Sequence, residues 1–366
     1  MIYFKQLDAV RALAVMLVIV SHWLPFPILQ KGGFVGVNIF FVLSGFLITN
    51  ILFDNKKEAE ETGTSKLVAF KNFFFRRALR ILPAYYFTVI LVYFLSRYFK
   101  LGVDSELPYL LTFTTNIHFY NLKYFGDLTA HCWSLAVEEQ FYFLWPWVIL
   151  YTNKKYILPV ILAFILTGTI SQLFITNFEY GYLPTYTCFD AFGLGALLAW
   201  VLAYKPHLLG KAYKALHLLV ILSMLLLAGK LSGSLNIPVP IRTFVSVIAL
   251  CVITFLVHQG QAKKYRFSSL FNNKRLLFIG KISYGLYLYH IPIPYVVWAF
   301  ARLINPYFPY LTDNYLYFAL ANISLLCLLP WLSWMCIEKP FLNLKKYFSY
   351  KKASIPVPVS TVVKVG

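Results

Sequence analysis

Acidic side chains are scarce in this chain: 14 Asp and Glu stand against 33 Lys and Arg, a formal charge of +19. Charge of either sign is thin, at 13% of 366 residues, while 60% are hydrophobic and the mean hydropathy is +0.67. A soluble domain of this length has no use for so much apolar surface, so the composition excludes a water-soluble globule and indicates a polytopic membrane protein. Cysteine is sparse as well. Cys132, Cys188, Cys251, Cys327 and Cys336 are scattered, only Cys132 falls in an expected loop, and no disulfide framework or metal-ligand spacing is visible, so no metal is expected. No small-residue cleavage site follows the first apolar run, which is therefore read as a retained span. Neither a Pro-rich or Gly/Ser-rich linker nor a repeat divides the sequence. One membrane domain is expected over 1–341, followed by a basic cytoplasmic tail over 342–366. The basic excess has its ordinary cause in cytoplasmic loops, and nucleic acid is not an expected partner.

What is abundant is long apolar runs. They recur at residues 7–24, 34–53, 75–97, 134–151, 156–176, 185–204, 214–231, 240–258, 280–303 and 315–337, which predicts an all-α fold of about ten transmembrane helices. With both termini cytoplasmic, every Lys and Arg except Lys31, Arg97, Lys100, Lys123, Lys230, Arg242 and Arg302 lies on the inner side, as the positive-inside rule requires. Counting 107–120 as a span would invert every later loop and destroy that bias. The segment is therefore placed as a re-entrant or interfacial helix in an outer loop, 98–133. Residues 54–72 read as a solvated cytoplasmic connector.

Ionisable residues inside a span are costly and call for a function and a partner. The first span carries two, Arg11 and His22. Eleven residues apart, they return to nearly the same helix face with a rise of about 16 Å. One helix thus offers a cation near one surface and an imidazole near the other, along a stripe that can wall a channel for a long anionic ligand. The plainer alternative has Arg11 snorkelling and His22 at the interface. Arg77 and Arg80 are neighbours on one face of the third span, and arginine forks suit phosphates. With Arg11 they can form a cytoplasmic phosphate clamp, or serve only as a positive-inside anchor. Glu138 and Glu139 open the fourth span at about the depth of His22. One of them, at most, is expected to face the histidine and orient its ring; a solvated helix start is the alternative. Gly32, Gly33, Gly36 and Gly45, with Ser44, give the second span a surface for close helix approach. Asn38 needs a polar partner there. Trp133, Ser134, Tyr287 and His290 are supporting candidates, with Pro292 and Pro294 expected to kink the span that carries His290. Asp190 is a lone acid free to pair with an arginine, and His118 and His131 read as solvated loop residues.

The stretches LDAVRALAVMLVIVSHW, GVNIFFVLSGFLIT, RRALRILPAYY, WSLAVEEQFYFLWP, SYGLYLYHIPI and EKPF occur in this order. Together they resemble the membrane-bound acyltransferase-3 family, whose members O-acylate extracytoplasmic glycans and other exported molecules from acyl-CoA. The resemblance implies that Arg11 and His22 are the Arg-His pair of the first helix. It further implies that Arg77 and Arg80 serve the acyl-CoA donor and that Glu138 and Glu139 belong to the WSL motif. Two departures are visible. Asn38 stands where an acidic residue is common, and no SGNH esterase-like domain follows the last span, so the acceptor would be held by the membrane domain or passed to a separate extracytoplasmic partner protein.

The expectation is a multi-pass enzyme of the bacterial cytoplasmic membrane with no tightly bound cofactor. Arg11, Arg77 and Arg80 would grip acyl-CoA, acetyl-CoA by default, and His22 would act as general base on a hydroxyl of a glycan or lipid-linked saccharide. Two other classes share these features: an exporter of a sugar or lipid conjugate using the charges as a proton relay, and an inactive scaffold.

Overall fold

The computed structural model describes residues 4–24, 26, 32–175, 180–232, 234, 240–262, 268–304, 307 and 315–348. Most of the expected tail, 342–366, lies outside them. The described residues are predominantly helical, with no strand among them. Eight helices are long and apolar enough to cross a membrane: Gln6–Trp23, Gly32–Thr62, Lys66–Phe99, Lys154–Leu173, Thr185–Tyr204, Pro206–Gly229, Ile241–Gly260 and Leu316–Phe348. Each overlaps one of the ten sequence segments. The remaining two differ for identifiable reasons. Cys132–Tyr151 is an unbroken helix, but Glu138, Glu139 and Gln140 dilute its hydropathy. The segment 280–303 is not one kinked span. It is three helices, Lys274–Lys281, Ser283–Tyr289 and Pro292–Ile304; the second break precedes Pro292, because a proline cannot donate within a helix and biases its predecessor away from helical angles, while the first, at Ile282, has no proline beside it.

The elements needed below are α1 (Gln6–Trp23), α2 (Gly32–Thr62), α3 (Lys66–Phe99), α4 (Leu107–Leu111), α5 (Thr115–Leu122) and α6 (Cys132–Tyr151). They are followed by α7 (Lys154–Leu173), α8 (Phe189–Tyr204), α9 (Leu209–Leu231), α10 (Ile241–Ala262), α11 (Ser268–Phe271), α12 (Lys274–Lys281) and α13 (Ser283–Tyr289). The expected connector at 54–72 is itself helical. Lys57 and Glu61 form an i,i+4 pair at 3.8 Å, Gly63 turns the chain at φ +67°, and Ser65 caps α3 by accepting from the Leu67 amide. Helix formers and a capped turn thus extend α2 and α3 into a long hairpin.

In the core, α2 lies against α8 and α1. The approach to α8 is as close as backbone allows: a Cβ added at Gly45 would stand 2.1 Å from the Phe192 carbonyl oxygen. Small residues permit this contact, which is how helices associate where no hydrophobic force operates between them. Outward faces remain apolar, Leu218 on α9 being 71% exposed, as contact with lipid demands.

The segment 107–120 forms two helices too short to cross, α4 and α5, separated at Phe113, whose φ is +53°. It is fastened to the bundle: the Tyr85 hydroxyl donates to the Leu110 carbonyl at 2.9 Å, the Phe113 ring stacks on Tyr85, and the Gln140 amide donates to the Phe113 carbonyl at 2.8 Å. Beside it, Glu106 is buried and accepts from the Thr129 hydroxyl.

Burial pushes the Glu106 carboxyl above its ordinary value of 4.5, against the Thr129 hydrogen bond and helped by nearby Asp127. The folded state therefore holds this proton more tightly than the unfolded chain. The stabilisation is complete below the unfolded value and is lost as pH rises through the folded one. Glu106→Gln keeps an acceptor for Thr129 and cannot ionise, so its Tm should gain on the wild type as pH is raised from about 4 to 7. Parallel melting curves would remove the carboxyl from this role.

Candidate active site

A cavity lies among α1, α2, α3, α6 and α13. Its lining follows helix periodicity. Along α6 it takes Ser134, Glu138 and Tyr142, one stripe at i, i+4 and i+8; along α2 it takes Val37, Phe40, Phe41, Ser44 and Leu47. Ser134 to Tyr142 spans about 12 Å of rise, so the space is elongated along the helices. Arg11, Arg77 and Arg80 all face it. The three arginines singled out from sequence are thus brought together.

Their partners differ. Arg11 forms an ion pair with Asp8 one turn back, a partner the sequence reading missed. The Arg77 guanidinium lies over the Tyr142 ring at 4.4 Å from its centroid, and its buried Nε has no hydrogen-bond partner. Among the described residues, neither Arg77 nor Arg80 forms an ion pair within 4.0 Å. Two guanidiniums on a cavity without a protein carboxylate against them leave room for an anion from outside.

Both glutamates line this same cavity, which corrects the expectation that one would orient His22. Glu138 accepts from the Ser44 hydroxyl at 2.9 Å and from the Tyr142 hydroxyl at 3.1 Å. The 100° between adjacent residues does not separate the two glutamates, because the cavity wraps around α6. Ser134 and Tyr287 close the end of the lining opposite Tyr142 and hydrogen-bond to each other through their hydroxyls. His22 is not part of that lining. The stripe from Arg11 to His22 therefore runs past the cavity rather than along one open channel.

His22 is exposed at the C-terminal end of α1, and Gly33 leaves space for its turn: a Cβ there would meet Ser21 Oγ at 2.4 Å and His22 Cε1 at 3.6 Å. Its Nδ1 lies 2.8 Å from the Val18 carbonyl. A carbonyl oxygen only accepts, so Nδ1 carries the proton and Nε2 is the basic nitrogen of the neutral ring. The orienting group is a backbone carbonyl of the same helix, not a carboxylate. Beyond it, the His22 and His290 rings lie 5.0 Å apart and His290 and His131 lie 5.2 Å apart. His131, expected in solvent, is buried because its segment tucks beneath the outer loop against α13, where its Nε2 donates to the Leu288 carbonyl at 3.1 Å. His118 stacks on Tyr109 at 3.9 Å rather than standing free.

Asn38 and Trp133 belong to a second polar cluster. Asn38 donates to the Arg242 carbonyl at 2.8 Å and to Ser246 at 2.7 Å, and accepts from Arg242 Nε at 3.0 Å. Arg242, 1% exposed, sits among the rings of Phe34, Phe41, Trp133 and Tyr182. Ser246 bridges towards Asp190 at 3.4 Å. The lone acid of α8 thus shares a cluster with the arginine that opens α10, a residue the sequence reading counted only as an outer charge. Glu338 was missed too: it is buried at the end of a π-helical turn, Trp334–Glu338.

Residues 4–337 match the family model described as an acyltransferase domain, of the acyltransferase-3 type. The chain is similar to the peptidoglycan O-acetyltransferase OatA of Listeria monocytogenes serovar 1/2a (strain ATCC BAA-679 / EGD-e), 30% identical over 95% of this chain and 58% of the relative. It is similar also to the putative O-acetyltransferase SAR0937 of Staphylococcus aureus strain MRSA252, 30% identical over 99% of this chain and 61% of the relative. The O-acetyltransferase OatA of Staphylococcus aureus strain NCTC 8325 / PS 47 is 28% identical over 92% and 57%. The chain therefore spans about three-fifths of the length of these curated relatives. No solved structure matches.

Asn38→Leu would strip buried Arg242 of its side-chain acceptor, at an expected cost of about 3 kcal/mol. Asn38→Asp keeps the acceptor for Arg242 but loses the two donated bonds, and should fall between Asn38→Leu and the wild type. Thermal unfolding in detergent measures both, and an Asn38→Leu protein as stable as the wild type would show that the pairing contributes nothing.

Proposed function

The chain belongs to the acyltransferase-3 family, and from that premise we propose that it is an integral membrane O-acyltransferase that moves an acyl group from cytoplasmic acyl-CoA to a hydroxyl of an extracytoplasmic glycan. Peptidoglycan and lipid-linked saccharides both suit an outward-facing base, and acetyl is the acyl group that the names of the relatives suggest. An exporter draws no support from those names.

The observation that carries the proposal is the division of labour along α1. Arg11 joins Arg77 and Arg80 on an elongated cavity, and about 16 Å further along the same helix His22 presents a basic Nε2. In the proposed cycle the guanidiniums bind the phosphates of the donor. Glu138, held by Ser44 and Tyr142, offsets part of the positive charge and fixes the cavity wall between α2 and α6. The imidazole lies beyond the Ser134–Tyr287 hydrogen bond, so in this cycle that pair must part to let the thioester reach His22. The acceptor oxygen then attacks the thioester carbonyl carbon as His22 Nε2 takes its proton. The carbon–sulfur bond breaks, its electron pair leaves with sulfur, and CoA departs to the cytoplasm. An acyl-His22 intermediate would use the same nitrogen as nucleophile.

His22→Ala should lower acceptor-dependent CoA release by about 10²- to 10⁴-fold while folding and acyl-CoA binding persist. Normal turnover in that variant would end the proposal. Replacing both guanidiniums, Arg77→Ala with Arg80→Ala, should weaken acyl-CoA binding on the order of 10²-fold, each charged hydrogen-bond donor contributing separately. Binding of acyl-CoA to the purified double variant checks this; an unchanged Kd would take the clamp out of the mechanism.

A further inference from the structure

Two buried histidines remain that the proposed transfer does not use. His290 is 0% and His131 2% exposed, and each spends one nitrogen on a backbone carbonyl: His290 Nδ1 donates to Tyr287 at 2.7 Å, and His131 Nε2 donates to Leu288 at 3.1 Å. Because those carbonyls can only accept, the lone pair of each neutral ring lies on the other nitrogen. His290 Nε2 and His131 Nδ1 are both buried without a hydrogen-bond partner. A buried acceptor left without a donor is costly and calls for an explanation beyond packing. Here the same defect occurs in adjacent rings, in series with His22, whose free nitrogen is also its basic one. Tyr287 touches both buried rings, at 5.5 and 5.7 Å between centroids, and its hydroxyl is on the cavity.

We propose that His290 and His131 extend His22 into a relay of three imidazoles, which carries the acceptor's proton inward to the end of the cavity where the thiolate leaves. This rests on the acyl-transfer reading above. The acceptor O–H bond breaks as the new O–C bond forms, and the proton goes to His22 Nε2. It passes to His290 Nε2 and on to His131 Nδ1. The thiolate that left with the C–S electron pair withdraws past Tyr287 and Ser134 into the cavity, where it takes the proton from His131 Nδ1 by way of those two hydroxyls, giving free CoA thiol and three neutral rings. No proton or electron is left over. His290 and His131 are positioning and proton-holding groups in this scheme; neither touches the thioester.

Isosteric variants separate this role from a structural one. His290→Asn keeps an N–H for the Tyr287 carbonyl and lacks the distal nitrogen; His131→Gln keeps the donor to Leu288 and lacks the proximal one. The assay uses membranes of expressing cells, with their own glycan as acceptor and labelled acetyl-CoA as donor. Each variant should lower kcat by about 10²-fold, with KM for acetyl-CoA and Tm unchanged, and added imidazole should restore part of the rate to His290→Gly. Full kcat in both isosteric variants would overturn the relay. So would a loss of rate that tracks a loss of Tm and that imidazole does not rescue. If the wild type transfers and His22→Ala does not, while His290→Asn and His131→Gln remain fully active, only the relay fails. Absence of transfer by the wild type would remove the enzyme reading and the relay together.

Discussion

A guanidinium inside a membrane protein must find water or hydrogen-bond acceptors, and the arginines here meet that constraint in two ways. Arg242 is enclosed: Asn38 and the Tyr182 carbonyl accept from two of its nitrogens and aromatic faces surround the rest. Arg77 and Arg80 instead face a cavity, with no carboxylate of the described residues within ion-pair distance. The first arrangement closes a helix junction. The second keeps one open, because packing around two unpaired guanidiniums would desolvate them without compensation. A cavity at this place follows from where the positive charge sits.

Helix α2 makes both arrangements compatible. Gly45 brings it against α8 at backbone distance, and Gly33 gives room to the last turn of α1. A neighbouring face, turned by the helix period, presents Ser44 to Glu138, while Asn38 reaches Arg242. Small residues on one side thus set the depth at which the polar residues on the others meet their partners. An enlarged side chain at Gly45 would shift Ser44 as well, and with it the wall that holds Glu138.

The sequence made the arginine cluster legible because its information is local. Spacing placed Arg77 beside Arg80 on one face, and charge bias set them at the depth of Arg11. The expected pairing of His22 with a glutamate differs from the structure, since depth along two separate helices leaves at least a turn of uncertainty. One turn is the difference between facing an imidazole and facing an arginine. His131 was read as solvated because nothing local distinguishes an exposed loop from one folded beneath α4 and α5. Arg242 and Asp190, on different helices, met only through packing. The break at Pro292 was visible as a kink signal, but whether a proline bends a helix or ends it depends on what the freed groups then find.

What orients His22 bears on how it can work. A carboxylate beside an imidazole fixes its tautomer and also stabilises the imidazolium, and in a low-dielectric setting that stabilisation is large enough to hold the proton in place. The Val18 carbonyl fixes the tautomer with a dipole alone. A ring so held keeps a basic nitrogen yet gives up an acquired proton readily, and the nearest rings, His290 and His131, are oriented by carbonyls in the same manner. The glutamates sit instead where fixed positive charge needs an offset, beside Arg77. The carboxyl groups and the imidazoles are therefore kept apart: in the proposed transfer the former stand at the donor's phosphate end and the latter where a proton must arrive and leave in each cycle.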